Sequence, residues 1–118
     1  MKLEVGMYVR TNGGNIRKIE NFKSSIYNDF IETPYKELIN KKDIKKASHN
    51  IIDLIEVGDY VNGKKIVDVG CLINGPRKGT KVIDYYITPS AVSYLENEDI
   101  KSFITHEQIE QMAYKVGE

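Results

Sequence analysis

The sequence predicts a mainly β protein of the α+β class, built by duplication of one small unit and closed by a short C-terminal helix. Three observations carry that expectation. The phrase Leu3-Glu4-Val5-Gly6-Met7-Tyr8-Val9 returns 52 residues later as Ile55-Glu56-Val57-Gly58-Asp59-Tyr60-Val61. Further pieces follow in the same order: Thr33-Pro34 and Thr88-Pro89, Asp43-Ile44-Lys45 and Asp99-Ile100-Lys101, Ser48-His49 and Thr105-His106. Between these landmarks, short runs of β-branched and aromatic residues alternate with Gly/Asn turn signals, as strands joined by hairpins do. The first copy is placed at residues 1–52 and the second at 53–118. Copies of about fifty residues lie near the lower limit for independent stability, so they are expected to share a core.

Each copy opens with a glycine that lets the chain turn before an extended segment begins. In the first, Tyr8 and Arg10 face opposite to Met7 and Val9 by the period of two. Asn12-Gly13-Gly14-Asn15 signals a hairpin and Ile16-Arg17-Lys18-Ile19 is the returning strand. At least one further strand is expected within Ser24–Glu32. In the second copy, Asp59-Tyr60-Val61 runs into Asn62-Gly63, the strongest two-residue hairpin signal, and Lys64–Val69 returns. A further strand pair is expected from Val69–Ile73 and Thr80–Ile87 around the loop Asn74–Gly79, with Pro89 as its limit.

Ser48 caps a single turn through Asp53. Thr105-His106-Glu107-Gln108 is a capping box that starts a helix, and Gly117 stops it. This order of strands and turns is that of a small SH3-like barrel, so the predicted architecture is a tandem of two SH3-like β units. One interleaved sheet with a packed helix is the alternative. The expected core is Val5, Val9, Ile16, Ile19, Ile44, Ile51, Leu54, Val57, Val61, Ile66, Val69, Val82, Ile87, Ile100, Ile104 and Ile109.

Hydrophobic residues make up 41% and charged residues 29% of the 118, an ordinary globular balance. No apolar run is long enough to span a membrane, so no membrane partner is expected. The acid in Met1-Lys2-Leu3-Glu4 falls where a secretory signal needs its apolar stretch. The net charge is zero, which argues against a dedicated duplex-binding protein. It is unevenly spread: residues 1–52 hold 10 Lys/Arg and 6 Asp/Glu (+4), and residues 53–118 hold 7 and 11 (−4). Such polarity suits head-to-tail contact between copies of the chain.

The residues give little support to an enzyme. No phosphate-binding loop, dinucleotide fingerprint or nucleophile elbow is present. Cys71 is the sole cysteine and sits in the apolar run Val69–Ile73, so it is expected to be a buried, inert thiol. His49 and His106 occupy equivalent places, His49 near Asp53 and His106 near Glu107 and Glu110. No His-x-x-x-His or Glu-x-x-His spacing accompanies them, and metal sites need three or four ligands. Neither a cofactor nor a metal is expected.

Binding is the better prospect. The loop Asn74-Gly75-Pro76-Arg77-Lys78-Gly79-Thr80-Lys81 concentrates cations that suit phosphate. Tyr8 and Tyr60 are equivalent strand positions, and exposed tyrosines stack on bases or prolines. The expected contact residues are Tyr60, Lys64, Lys65, Arg77, Lys78 and Tyr85. Lys41, Lys42, Lys45, Lys46 and Arg17 form the basis of a second class, a nucleic-acid-binding barrel.

Two stretches carry a resemblance. Leu95–Gln108 with Tyr114–Glu118, and Ala47–Gly63, resemble small proteins encoded by phages and prophages of Gram-positive bacteria such as clostridia and bacilli. Members of that group usually carry Lys where this chain has His106, which weakens a shared role for His106. The resemblance implies a protein of the host cell cytoplasm. It also implies a non-catalytic binding protein that counters a bacterial defence system, either by blocking a defence protein such as a CRISPR effector or by sequestering a nucleotide immune signal. For a nucleic-acid-guided target, Glu96, Glu98 and Asp99 are the acids expected to mimic phosphates. A structural phage assembly module is the remaining alternative.

Overall fold

Gly6 and Gly58 both hold positive φ, +91° and +96°, so each half of the chain starts with a turn that only glycine adopts without strain. The computed structural model describes residues 2–112. It divides between Leu54 and Ile55 into two compact units. In the first, the order is β1 (Tyr8–Thr11), β2 (Ile16–Lys18), β3 (Asn21–Ser24), β4 (Asp29–Glu32), β5 (Leu38–Asn40), a 3-10 turn at Lys41–Asp43, β6 (Ile44–Ser48) and a second 3-10 turn at Ile51–Leu54. In the second it is β7 (Tyr60–Val61), β8 (Lys64–Lys65), β9 (Asp68–Cys71), β10 (Lys81–Thr88), β11 (Ala91–Leu95), a 3-10 turn at Asn97–Asp99, β12 (Phe103–Ile104) and α1 (His106–Met112).

The protein is therefore mainly β, in small antiparallel three-stranded sheets with one short C-terminal helix. The first unit holds sheets of order β2-β1-β6 and β3-β4-β5, and the second holds β12-β7-β8 and β9-β10-β11. Among the described residues no sheet closes into a barrel.

The chain changes sheets at one point in each unit, and the hydrogen bonds show how. Ile19 N–H donates to Met7 O (2.8 Å) while the next residue, Glu20, donates to Glu32 O (2.9 Å). Ile66 donates to Asp59 O (2.8 Å) and its successor Val67 to Asp84 O (2.9 Å). The backbone thus leaves one sheet and enters the other within a single peptide. The isoleucine at the bend is buried in both cases, 1% exposed at Ile19 and 0% at Ile66. The opening turns match as well: Gly6 N–H donates to Ile19 O (2.8 Å) and Gly58 N–H to Ile66 O (2.9 Å).

The hairpin expected at Asn62-Gly63 forms, with positive φ at both residues (+53° and +77°). Asn62 also uses its side chain. Its Nδ2 donates to Asp99 O (2.7 Å), and its Oδ1 accepts from Lys101 and Ser102 N–H (2.8 and 3.0 Å). The capping box at the start of α1 is present: Gln108 N–H donates to Thr105 Oγ1 (3.2 Å) and Thr105 N–H to Gln108 Oε1 (3.1 Å). The expected stop at Gly117 lies outside the described residues.

The core of the first unit is Val9, Ile19, Ile31, Ile39 and Ile44, with Leu3, Met7, Phe22 and Ala47 packed against it. The second unit buries Ile55, Val61, Ile66, Val82 and Ile83. Five expected core residues are exposed instead: Val5, Val57, Val69, Ile87 and Ile104. Val5 and Val57 precede the turning glycines, where the chain has not yet entered its sheet. Val69 lies on β9, an edge strand exposed along its whole length. Cys71, expected to be buried, is exposed on the same strand.

Candidate contact surface

Two of the expected contact residues are joined directly. Lys64 Nζ lies over the Tyr85 ring at 4.9 Å from its centroid, a cation–π pair between β8 and β10. Tyr60 faces Lys65 across the β7–β8 hairpin and faces Ile104 across β7–β12. The tight Asn62-Gly63 turn holds these strands in register, which places Tyr60, Lys64 and Lys65 on one hairpin. The first unit repeats part of the arrangement. Tyr8 faces Lys18 across β1–β2, and Lys18 Nζ lies 5.6 Å from the Tyr8 ring centroid.

Beside Tyr60 is an apolar groove of about 410 Å³, lined by Tyr60, Gly63, Ser102, Phe103, Ile104 and Ile109. Tyr60 and Ile109 are half-buried and Ile104 is 45% exposed, so apolar surface is open to solvent. Ile104 and Ile109 read in the sequence as core. The two-residue strand β12 explains the difference: it is long enough to hold register with β7 and too short to place both faces under cover. Phe103 carries no signal of its own, because apolar residues before a helix cap usually pack inward.

Arg77 and Lys78 lie away from any strand in the loop before β10, and both are exposed. Arg77 is already engaged. Its Nη2 pairs with Glu96 Oε1 and lies 3.5 Å from Glu98 Oε1. Glu96 is 6% exposed, so this pair neutralises a buried carboxylate. Asp99 Oδ2 accepts the Glu96 N–H at 2.9 Å and completes the cap of the 3-10 turn. Glu96, Glu98 and Asp99 are thus tied to Arg77 or to their own turn, a different setting from three free acids. Of the cations proposed for nucleic acid, Arg17 Nε donates to Glu37 Oε1 (2.7 Å) and Lys41 Nζ sits 5.1 Å from the Phe22 ring centroid.

The two histidines have equivalent partners. His49 Nε2 is 3.3 Å from Glu4 Oε2, and His106 Nε2 is 2.8 Å from Glu56 Oε1. Each imidazole therefore meets the glutamate of its own Glu-Val-Gly phrase and lies against the glycine of that phrase. In the sequence His49 stands near Asp53 and His106 near Glu107 and Glu110, a proximity that missed Glu4 and Glu56; the glutamate in each repeated Glu-Val-Gly phrase is the signal that could have found them. His49 thus has Glu4 at its ring, while Asp53 Oδ2 accepts from Ser48 Oγ at 2.5 Å.

No helix among the described residues is long and apolar enough to cross a membrane. No protein-family model, no curated protein and no solved structure matches the chain.

Proposed function

We propose that the chain is a non-catalytic, phage-derived binding protein of the host cytoplasm, made of two tandem SH3-like units, which counters a bacterial defence system by contact with a host protein. The architecture is supported by the order of strands. In each unit the opening strand pairs with the returning strand and the last strand, three intervening strands form a second sheet, and a 3-10 turn precedes the last strand. That is the order of an SH3-like unit whose second strand bends from one sheet to the other. The matched bends at Ile19-Glu20 and Ile66-Val67 support duplication.

The observation that carries the functional reading is the open apolar groove at Tyr60, with Lys64 and Lys65 on the neighbouring strand. Apolar surface with an aromatic at its edge and cations nearby suits a protein segment with apolar anchors and acidic flanks. Sequestration of a nucleotide uses the same residues, with Tyr60 stacking and Lys64 and Lys65 meeting phosphate.

The test is capture from a lysate of a Gram-positive host carrying active defence systems. Wild-type protein and Tyr60→Ala are compared, with mass spectrometry of bound proteins and small molecules. A defence protein held by wild type and reduced at least about tenfold by Tyr60→Ala is expected, as for loss of an interface anchor. A nucleotide in its place selects sequestration. Capture unaffected by Tyr60→Ala removes the groove from the reading.

A further inference from the structure

We infer that Glu56, His106 and Glu107 form a binding site for one divalent transition-metal ion of the zinc type, and that the second unit alone carries it. One donor atom from each residue lies within 4.8 Å of the others. His106 Nε2 is 2.8 Å from Glu56 Oε1 and 3.1 Å from Glu107 Oε1. All three side chains are largely covered, at 30%, 17% and 13% exposure for His106, Glu56 and Glu107. Largely covered carboxylates set close together are stabilised by positive charge beside them, which a charged imidazole or a metal ion supplies. An imidazole nitrogen with two carboxylate oxygens is a donor set that zinc accepts, with water completing the shell.

The distances are compatible. Ligands on zinc bonds of about 2.1 Å in a tetrahedron lie about 3.4 Å apart. The two donor separations to His106 Nε2, 2.8 and 3.1 Å, lie a little inside that value, and the third is within 4.8 Å.

The surroundings are built to hold these ligands. Asp59 is fully buried, and its carboxylate accepts the backbone N–H of both ligand-bearing ends: Glu56 N–H on Oδ2 at 2.7 Å and His106 N–H on Oδ1 at 2.8 Å. The Thr105–Gln108 capping box fixes the turn that presents His106 and Glu107. Glu110 Oε1 lies 3.7 Å from His106 Nδ1, on the side of the ring away from the other donors. A carboxylate on that side can receive the Nδ1–H when Nε2 ligates the ion.

The duplication supplies an internal control. In the first unit the pair Glu4–His49 survives at 3.3 Å, but both side chains are about half exposed (52% and 51%). Asn50 stands where the second unit has Glu107, and Met7 stands where it has Asp59. The third ligand and the anchoring carboxylate are both missing there.

The test is titration of the full chain with Zn2+ by calorimetry in a non-chelating buffer near pH 7.5. Co2+ absorption reports the ligand field. One equivalent is expected, with a Co2+ visible spectrum of a four- or five-coordinate site and a rise in melting temperature as the ion binds the folded state. His106→Gln and Glu107→Gln are each expected to weaken binding at least about tenfold, and Glu110→Gln by up to about tenfold. His49→Gln leaves affinity and stoichiometry unchanged, and circular dichroism establishes that each variant is folded. Absence of Zn2+ binding by the wild-type chain overturns the inference. So does equal binding by folded Glu107→Gln, which places the ion on other donors such as Cys71 or His49.

Discussion

Arg10 shows how a single side chain takes a role that its neighbours in sequence do not announce. By strand alternation it faces away from Val9, on the side that reads as solvent. In the structure it is fully buried, and its Nη1 donates to the Leu54 carbonyl at 2.9 Å, tying β1 to the 3-10 turn that ends the first unit. Alternation was legible; the cover laid over that face by residues 51–54 was not, because it depends on a contact 44 residues distant. Arg10→Ala removes the apolar stem and leaves the carbonyl without its donor. A loss of about 2–4 kcal/mol is expected in urea denaturation, large for so small a core. A loss below about 0.5 kcal/mol would mean that desolvating the guanidinium already cancels what its bond contributes. Asp59 is the second-unit example of a residue whose sequence position hid its role. It reads as the first residue of a strand, and it caps two backbone ends at once.

The β9-β10-β11 sheet was legible in its middle and obscure at its margins. Lys81–Thr88 is β-branched and aromatic almost throughout, and it forms β10 within one residue of the expected bounds. Ala91–Leu95 forms β11 with a half-buried/exposed alternation, but its mixed composition and the Pro89 before it masked the strand. The same weakness moved the core: Ile31, Ile39 and Ile83 are buried at 0%, 9% and 1%, and none was among the residues expected inside. Their burial follows from which sheet each strand joins, and sheet membership changes at the bends at Ile19-Glu20 and Ile66-Val67. Register also creates a charge conflict, since Asp84 pairs directly with Asp68 across β10–β9. Burial, and then the Asp68 charge, hold the Asp84 carboxyl above its ordinary range. Ionising it costs the folded state more than the unfolded chain. Stability is therefore lost as pH rises from the ordinary carboxylate value of about 3.9 through the raised one. Asp84→Asn is expected to remove that fall and to add up to about 1 kcal/mol at pH 7. Urea midpoints at pH 4 and pH 7 check it, and an equal gain at both values would detach the effect from ionisation.

The repeated phrase accounts for most of what was readable and also for its limit. Repeated landmarks located the opening glycines and the equivalent places of His49 and His106, while the bends and the Glu4 and Glu56 partners of the two imidazoles came only with the fold. The halves differ at Met7 against Asp59 and at Asn50 against Glu107, and there neither is a guide to the other. Divergence extends to charge: residues 1–52 carry +4 and residues 53–118 carry −4, with a net charge of zero. A chain with no net charge has no overall repulsion between molecules, and opposite halves attract when copies approach head to tail. The attraction acts between exposed charges, so it weakens as the screening length falls from about 30 Å at 0.01 M salt to about 8 Å at 0.15 M. Static light scattering at pH 7 is expected to give net attraction and a mass rising with concentration at 0.01 M salt, returning to the monomer value near 0.3 M. Reversing Lys41 and Lys42 together to Glu lowers the charge of the first half from +4 to zero and is expected to abolish the low-salt attraction. Both lysines are exposed, and circular dichroism checks that loss of the Lys41–Phe22 contact leaves the fold intact. Scattering that stays repulsive in wild type at 0.01 M salt, or attraction that persists in the reversed variant, would show that charge polarity between the halves does not drive association.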